Sequence, residues 1–529
     1  MPQGYLCLVL HAHLPYVRHP EYDDFLEEDW LYEAITETYV PLLDMMDGLE
    51  RDGVDWRLTM SVTPTLAGML ADPLLQYRYV RHLDNLISLL NKELERTRWQ
   101  PDVFKLVEMY LGMFGRARDV FVKQYGNNLI NGFKRFYDTG KLEIITCCAT
   151  HGFLPLMPNR NAAFVQIEQG AREFERHFGR RPKGIWLAEC GYAAGVDELL
   201  KEAGIQYFFT DFHGVAYADP RPRFGVFAPI LCPGTGVAAL GRDVESSKQV
   251  WSSVEGYPGD PNYREFYRDI GFDLDFDYVK PHLHSLGIRT NLGIKYHKIT
   301  GNVDLADKQV YDRSAALETA AMHAGHFMFN RERQVEWLKQ AMGGRPPLIV
   351  APYDAELFGH WWFEGPDWIN FLLRKVCFDQ DIVKTITVPE YLAQFPTNQV
   401  AQPTYSSWGA NGYAEVWLED SNDWIYRHLH ELADRMVQLA RDFPAASGMQ
   451  KRALTQAARE LLLAQASDWA FIMKTGTMVE YAHKRTHDHV HYFYALEAQI
   501  RGGHIDEGYL ADLESRHNLF PDLDYRLYA

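Results

Sequence analysis

The sequence feature that most constrains the fold is a series of short apolar runs, each followed by polar residues and separated by helical patterns. Uninterrupted apolar runs that alternate with helices favour a parallel sheet buried on both faces. About seven such runs in one unit predict an α/β fold with a closed or nearly closed β/α barrel. The runs are Tyr5–Leu10, Leu58–Val62, Leu142–Cys148, Gly184–Ala188, Gln206–Thr210, one within Ala238–Ser252, and Leu348–Pro352.

Two regions depart from this alternation. Residues 73–138 lie between the second and third runs and carry long amphipathic stretches, which predict an inserted helical subdomain. From residue 396 onward helical patterns dominate and no strong buried strand is evident. We therefore predict a catalytic barrel over 1–395, interrupted by the insertion, and a helical domain over 396–529 that packs on the barrel mouth.

Charge and cysteine usage narrow the class of protein. The formal net charge is −18 and no stretch concentrates Lys and Arg, so a nucleic acid would be repelled. No window approaches the roughly 18 apolar residues of a membrane span. The six cysteines form no CxxC pair and most lie in apolar runs, which suits free thiols in a reducing cytosol. The first residues contain no basic leader, and we expect a cytoplasmic protein.

Two histidines follow the first apolar run. His11 and His13 are two apart, so their side chains share one face of an extended chain. They could bind a metal, bond to sugar hydroxyls, or be core histidines satisfied by the backbone. A zinc site needs three or four protein ligands. Asp211, His213 and His151 could supply a third, but none forms a recognisable motif, so we expect no metal.

A glutamate stands at the end of another apolar run. In the segment GIWLAECGY at 184–192, Glu189 follows the apolar run and precedes Gly191. A buried carboxylate without a partner costs several kcal/mol, so Glu189 must either project into a polar pocket or form an ion pair. At the end of a barrel strand the pocket is the favoured interpretation, because chemistry gathers at that edge.

Two further carboxylates follow the last apolar run. Asp354 and Glu356 are succeeded closely by Trp361, Trp362 and Trp368. A carboxyl group beside aromatic walls has a raised pKa, which a general acid near neutral pH requires. Asp354 is the preferred acid. Glu356 remains the alternative acid, although a supporting contact or a helix-start charge is the preferred explanation for it.

Aromatic and acidic residues beyond position 400 are candidates for sugar contact. Trp408 and Trp417 flank a glycine-rich turn, where they could form a platform for a sugar or pack the helical domain onto the barrel. Asp468 lies where a helix could lean over the cleft. In the segment 241–271, Arg264 and Arg268 are four apart on a predicted short helix and could face a bound chain or pair with nearby acids.

Together these motifs resemble the five sequence regions of glycoside hydrolase family 57, and within it the 1,4-α-glucan branching enzymes. The matching segments are HAHLPYV at 11–17, HGFLPL at 151–156, WLAECGY at 186–192, APYDAELFGHWWFEGP at 351–366 and WGANGYAEVWLED at 408–420. The resemblance covers nearly the whole chain in order. It implies a (β/α)7 barrel with a helical insertion and a C-terminal all-helical domain.

The resemblance also implies a retaining mechanism that uses no metal or cofactor and acts on an α-glucan such as amylose, glycogen or amylopectin. Glu189 matches the family's nucleophile and Asp354 its acid/base. The expected substrate contacts are His11, His13, His151, Arg264, Arg268, Trp408, Trp417 and Asp468. We expect a monomer or a small homo-oligomer.

The subtype depends on a loop that would shield the cleft from water. The candidate is 227–241, in which Pro233, Gly234 and Gly236 confer freedom but which contains no Tyr or Trp. Amylases and 4-α-glucanotransferases occur in the same family, and a loop without these aromatics favours hydrolysis. Two other classes remain open: a metal-dependent polysaccharide deacetylase that uses His11 and His13, and a glycan-binding or regulatory protein that kept the fold.

Overall fold

The computed structural model describes residues 2–252 and 255–529. Within them all ten strands belong to one sheet. Each of the seven predicted apolar runs contains one of these strands. The strands are β1 Gly4–Ala12, β2 Leu58–Val62, β3 Leu142–Cys147, β4 Gly184–Trp186, β5 Tyr207–Thr210, β6 Ile230–Leu231, β7 Ala238–Gly241, β8 Leu348–Asp354, β9 Val383–Thr385 and β10 Gln399–Val400.

The sheet curls into a barrel of seven parallel strands. Its order is β10-β6-β7-β5-β4-β3-β2-β1-β8, with β9 also on β1, and only the pair β6–β7 is antiparallel. Two backbone bonds link β8 to the chain flanking the β6–β7 hairpin: Leu348 N–H donates to Phe227 O and Asp243 N–H to Val350 O, each at 2.9 Å. These bonds close the ring, and the predicted (β/α)7 barrel is confirmed.

Strand β1 shows how the barrel positions its polar residues. All nine of its residues are buried, and successive side chains alternate between two cores. Leu6 and Leu8 pack with the surrounding helices, whereas Cys7 and Val9 pack in the second core with residues of β4 and β5. Because a strand has a period of two, His11 continues the face of Val9 and emerges at the carboxyl rim.

Helices surround the barrel, and the predicted insertion at 73–138 is helical as expected. A π-helical turn at Ile35–Tyr39 joins the first two helices. The helices up to β3 are α1 Asp29–Ala34, α2 Val40–Arg51, α3 Pro64–Leu70, α4 Pro73–Thr97, α5 Pro101–Asp119 and α6 Ile130–Asp138. The later barrel helices are α7 Arg160–Phe178, α8 Val196–Glu202, α9 Phe212–Ala216, α10 Val244–Trp251, α11 Ile270–Asp273, α12 Phe276–Val279, α13 Arg313–Ala341, α14 Gly365–Phe378 and α15 Val388–Gln394.

The C-terminal region consists of helices that lean on the barrel rim. They are α16 Trp424–Asp442, α17 Gly448–Ala464, α18 Ser467–Thr475, α19 Val479–Gly502 and α20 Glu507–Arg516. The backbone N–H of Ser467 donates to the carbonyl of His151 at 3.1 Å, which fixes the start of α18 beside the end of β3. No buried strand follows residue 396 among the described residues, and the two-residue β10, which is half-buried to exposed, pairs with β6.

The predicted short helix carrying Arg264 and Arg268 is wrong. The chain there is irregular, with bends at residues 266 and 267, and Arg264 forms an isolated bridge with Lys298. Of the predicted segment 241–271, residues 253 and 254 lie outside the described residues. Among the helices that are described, none is both long enough and apolar enough to cross a membrane.

Candidate active site

A cavity of about 520 Å³ opens at the carboxyl rim of the barrel, beneath α18. We call it the rim cavity. Four carboxyl groups and five large aromatic rings face it, together with three histidines and one arginine. These side chains belong to Glu189, Asp354, Glu356, Asp468, Trp251, Trp361, Trp408, Trp417, Phe471, His11, His13, His151 and Arg242.

Glu189 follows β4 in a strained turn that turns its side chain into the rim cavity. Its backbone is left-handed, with φ 60° and ψ 24°, and Cys190 also has a positive φ of 52°. Such a conformation costs a non-glycine residue about 1–3 kcal/mol and persists only where the surroundings hold it. Here the backbone N–H of Trp408 donates to the carbonyl of Glu189 at 2.8 Å.

Both carboxylate oxygens of Glu189 accept a hydrogen bond from the protein. The indole N–H of Trp408 donates to Oε2 at 2.7 Å, and the hydroxyl of Ser467 donates to Oε1 at 2.9 Å. Burial raises the pKa of Glu189 to about 7, and these two hydrogen bonds oppose that rise. The carboxyl group is thus oriented and titrates near neutral pH.

Asp354 ends β8 directly opposite His11 in the register of β1. Burial raises the pKa of the Asp354 carboxyl well above its usual range, and the charges of Glu356 and Glu189 raise it further, whereas Arg242 opposes them. Its carboxyl makes no hydrogen bond to the described residues. The surroundings of Asp354 therefore favour its protonated form, and its carboxyl group is free to bond to a ligand.

Glu356 faces the same cavity but is occupied by the protein. The phenol of Tyr39 and the backbone N–H of His13 both donate to its Oε1, the latter at 3.2 Å. A carboxylate that accepts these bonds orients its neighbours instead of delivering a proton. Glu356 thus occupies a supporting position, and Asp354 has the freer carboxyl.

The three histidines form a stack at the floor of the rim cavity. The rings of His13 and His151 lie 3.8 Å apart between centroids, and Nε2 of His11 lies 3.0 Å from Nε2 of His151. Burial and the charge of His13 lower the pKa of His11 and of His151. Burial also opposes the charging of His13, but Asp468, 2.9 Å from Nε2, raises its pKa. Of the three histidines, His13 is therefore the one whose charged form the surroundings favour.

His151 connects this stack to Glu189. Its Nδ1 lies 2.8 Å from the hydroxyl of Ser467, which in turn donates to Glu189. A continuous chain of hydrogen bonds thus runs from the histidines to the carboxylate. Ser467 was missed by sequence reasoning, although it directly precedes the predicted Asp468.

One group near the cavity has the ligand atoms that a metal would need. Nitrogens of His13 and His151 and an oxygen of Asp468 all lie within 4.8 Å of one another. The other two ligands considered from the sequence lie elsewhere: Asp211 pairs with Arg242 at 2.7 Å, and Nε2 of His213 bonds to the carbonyl of Gly412 at 2.7 Å.

Arg242 was a second omission of the sequence reasoning. It directly follows β7, a position equivalent to that of the predicted polar residues, and its guanidinium faces the rim cavity. Asp211 accepts two hydrogen bonds from it, at 2.7 and 3.1 Å. A polar residue at the end of a strand was the signal that could have identified it.

The aromatic residues divide into two groups. Trp361 is 54% exposed and stacks on Phe266 at 4.3 Å, so one of its faces is available to a ligand. Trp417 also borders the cavity, but it is buried and stacks on Phe153 at 5.1 Å. The two further tryptophans of that segment, Trp362 and Trp368, are buried in the core.

Neither predicted arginine reaches the rim cavity. Arg264 is buried, with its guanidinium 3.5 Å from Glu37. Arg268 pairs with Asp273 at 3.0 Å. Of the two alternatives given for these arginines, pairing with nearby acids is the one observed. The chain that carries them is not helical and directs both side chains away from the rim.

The predicted covering loop is a hairpin. Residues 227–241 contain β6 and β7, and Gly234 and Gly236 have positive φ at its turn. The hydroxyl of Thr235 donates to Asp197 at 3.0 Å. None of the described residues of this segment faces the rim cavity.

Comparison with known protein families shows which family has this fold and this site. The family described as "Glycosyl hydrolase family 57" matches residues 7–406, and the family described as "1,4-alpha-glucan branching enzyme, C-terminal" matches residues 428–528. A 1,4-alpha-glucan branching enzyme of Thermococcus kodakarensis is 33% identical over 98% of this chain and 77% of its own length.

Solved structures agree over the full chain. The alpha-amylase AmyC of Thermotoga maritima is 47% identical, with a TM-score of 0.94 over 100% of this chain and 99% of its own. A branching enzyme of Pyrococcus horikoshii is 33% identical, with a TM-score of 0.87 over 99% and 97% of the two chains. The barrel, the rim cavity and both matched regions thus lead to one conclusion: the chain belongs to glycosyl hydrolase family 57.

Proposed function

We propose that this protein is a 1,4-alpha-glucan branching enzyme, which cleaves an α-1,4 linkage and transfers the released chain to a 6-hydroxyl. The observation that carries the proposal is that Glu189 and Asp354, which come from different strands, face one cavity. Burial raises the pKa of both carboxyl groups, but two hydrogen bonds to Glu189 oppose the rise there, whereas the neighbouring carboxyl groups raise the pKa of Asp354 further. The branching enzymes among the relatives support the choice of reaction.

In the proposed reaction Asp354 donates its proton to the glycosidic oxygen while the carboxylate of Glu189 attacks the anomeric carbon. The bond to the leaving chain breaks, and a covalent glycosyl-enzyme forms. Asp354, now ionised, then removes the proton of an acceptor 6-hydroxyl, which displaces Glu189. Two inversions leave the α configuration unchanged, and such a pair of carboxyl groups stands roughly 5–5.5 Å apart.

The surrounding side chains hold the two carboxyl groups in these roles. Trp408 and Ser467 each bond to one oxygen of Glu189 and orient it for attack. Arg242 faces the cavity near Asp354 and favours its ionised form, which the second step needs. The paired His13 and Asp468 are proposed to bond to sugar hydroxyls.

Hydrolysis is the second candidate, and two observations favour it. The relative that is 47% identical is described as an alpha-amylase. The 227–241 hairpin brings no described residue to the rim cavity, so it leaves the glycosyl-enzyme open to water in this conformation. The two activities share the first step and differ only in whether water or a 6-hydroxyl accepts the chain.

Incubation with amylose distinguishes the two reactions. Branching creates one α-1,6 linkage per transfer and leaves the number of reducing ends unchanged, whereas each hydrolysis adds one reducing end. We expect α-1,6 linkages, counted by proton NMR, to exceed new reducing ends. New reducing ends without α-1,6 linkages would reject the branching reaction in favour of the amylase.

Dialysis against a chelator, followed by metal analysis, tests the alternative that the protein is a metal-dependent deacetylase. We expect full activity on amylose after this treatment, because protonation of Asp354 supplies the acid that the reaction needs. Loss of activity that Zn²⁺ restores would instead assign His13, His151 and Asp468 to a catalytic metal.

We further propose where and in what form the protein acts. The six cysteines are free, which fits a reducing cytoplasm, and a monomer or small homo-oligomer that builds a storage glucan such as glycogen agrees with the reaction. We also propose the division into a barrel over 1–395 and a helical region over 396–529, with β10 as the part of the second region that remains in the sheet.

A further inference from the structure

A second depression lies on the outer surface of the barrel, between α10 and α13. It is an open groove of about 640 Å³, which we call the outer groove. Phe212 and Phe227 contribute to its apolar lining, and side chains of the two helices form its walls. It shares no lining residue with the rim cavity.

One face of α13 presents a large aromatic ring to this groove. Asn330, Gln334 and Trp337 are spaced at i, i+4 and i+7, so they share that face. Trp337 is 67% exposed, although a ring of this size gains much free energy from burial. An exposed apolar surface rimmed by polar groups marks a place where a ligand or partner binds.

The polar groups beside Trp337 include one without a partner. The amide nitrogen of Gln334 donates to Asp243 at 2.9 Å, but its buried Oε1 accepts no hydrogen bond among the described residues. Leaving a buried acceptor unpaired is unfavourable, so a ligand that donates a hydrogen bond there would be favoured. A hydroxyl group meets that requirement.

The charges of the outer groove balance. Asp243 and Glu245 are opposed by Lys248 and Arg333, so the formal charges of the lining cancel. The two acids are already engaged by Arg331, at 3.6 and 2.7 Å. This lining attracts neither an anion nor a cation, and a flat ring beside hydrogen-bonding groups suits an uncharged, hydroxyl-rich ligand.

The segment that carries α10 contributes residues to both the outer groove and the rim cavity. Arg242 faces the rim cavity while the next residue, Asp243, lines the groove. On the helix itself Lys248 lines the groove and Trp251, one turn later, lines the cavity. Because eight helical residues span roughly 12 Å, one extended ligand could touch both sites.

We propose that the outer groove binds a second stretch of α-1,4-glucan, with Trp337 stacking on the sugar rings, an inference that rests on the proposed function. A long glucan held there keeps its remaining length beside the rim cavity. The groove thereby selects for long chains, whereas a short oligosaccharide occupies the rim cavity alone.

Affinity electrophoresis in gels containing amylose tests the proposal. The Glu189→Gln protein serves as the background, so that the polysaccharide is bound but not consumed. We expect Trp337→Ala to weaken the apparent dissociation constant for amylose at least fivefold. Phe329→Ala is the matched control, because Phe329 is 54% exposed on the same helix but lies outside the groove, and it should change the constant less than twofold.

Trp337→Phe keeps a flat ring and should restore most of the affinity, and the thermal midpoints of all variants should agree because both positions are exposed. If amylose retards Trp337→Ala and its Glu189→Gln background equally, the proposed glucan binding at the outer groove is refuted. The proposed function would be unaffected by that result. A change of oligomeric state in Trp337→Ala with unchanged retardation would likewise refute glucan binding at the outer groove and assign Trp337 to a protein contact. If the unsubstituted protein neither binds nor modifies amylose, the proposed function itself is rejected.

Discussion

Two clusters in this protein combine carboxylates with histidines, yet their electrostatics differ. In the rim cavity burial raises the pKa of Glu189 to about 7 and that of Asp354 well above its usual range. In the C-terminal helices Glu460 lies between His489 and His517, with its oxygens 2.6 and 2.8 Å from their Nδ1 atoms. We call this second group the Glu460 cluster.

The difference lies in how each carboxylate is compensated. Burial alone would raise the pKa of Glu460, but the charge of His517 and hydrogen bonds from both imidazoles hold it well below its usual range. Asp354 has no comparable donor and faces two other carboxyl groups. The same residue types thus favour the ionised carboxylate in one place and the protonated carboxyl group in the other.

The largest expected effect tests the nucleophile. Glu189→Gln keeps the shape of the side chain and one hydrogen-bond acceptor but replaces the nucleophilic carboxylate by an uncharged amide, so turnover of amylose should fall at least about 10⁴-fold. Amylose affinity should persist. Iodine-staining loss and reducing-end assays measure this, and turnover within tenfold of the unsubstituted protein would remove Glu189 from its role.

The acid is tested by Asp354→Asn, which should lower turnover about 10²–10⁴-fold. In the unsubstituted protein activity should fall below about pH 7 as Glu189 takes up a proton, and fall again at high pH as Asp354 loses its proton. The variant should lose the alkaline limb, because no acid remains to titrate. An unchanged pH–rate profile in Asp354→Asn would contradict the assignment.

Substitution in the Glu460 cluster should change the stability of the fold and not the catalytic activity. Glu460→Leu removes a buried carboxylate from between two imidazoles, and losing one partner of a buried pair costs about 3–5 kcal/mol. Urea unfolding measures this free energy. The folded-state pKa of Glu460 is depressed, so its contribution is present above its unfolded pKa of about 4.3 and is lost as the pH falls through the folded value.

Glu460→Leu should therefore flatten the acid side of the stability profile. The matched control is Glu431→Leu, an exposed acid in the same region that pairs with Arg435, and it should lower the free energy of unfolding much less than Glu460→Leu does. If Glu460→Leu costs no more than this control, the structural role of the cluster is refuted.

The smallest effect concerns the orientation of Glu189. Trp408→Phe keeps most of the ring but removes the N–H that donates to Oε2. Because that hydrogen bond favours the ionised carboxylate, its loss should raise the pKa of Glu189 and move the acid limb of the pH–rate profile upward, with about a tenfold loss of turnover at pH 7. An unshifted acid limb would show that Trp408 acts by packing alone.

Sequence patterns predicted the barrel well because each strand carries its own signal. An apolar run that ends in a polar residue identifies β1, β4 and β8 and the rim positions of His11, Glu189 and Asp354 without any knowledge of partners. The short strands β6, β9 and β10 were missed, because two or three residues carry too little periodicity to be recognised.

The site was predicted less completely because several of its members depend on contacts distant in sequence. Ser467 reaches Glu189 across 278 positions, and no local pattern marks it. Arg264 was expected at the substrate, but the chain around it is irregular and its guanidinium lies beside Glu37. The prediction assumed helical spacing between Arg264 and Arg268. In the structure the chain packs against α5 and the π-helical turn, and this packing prevails over the local helical pattern.

The amino-acid sequence by itself determined which carboxylates stand at the rim, since hydrophobic periodicity is a local property that fixes where each strand ends. Only the tertiary structure decided what each carboxylate can do. Asp354 and Glu460 are chemically similar acids in buried surroundings, and their protonation depends on the charges and donors that other segments bring within a few ångströms. Those neighbours are set by the closure of the barrel and the docking of the helices, which no single stretch of sequence encodes.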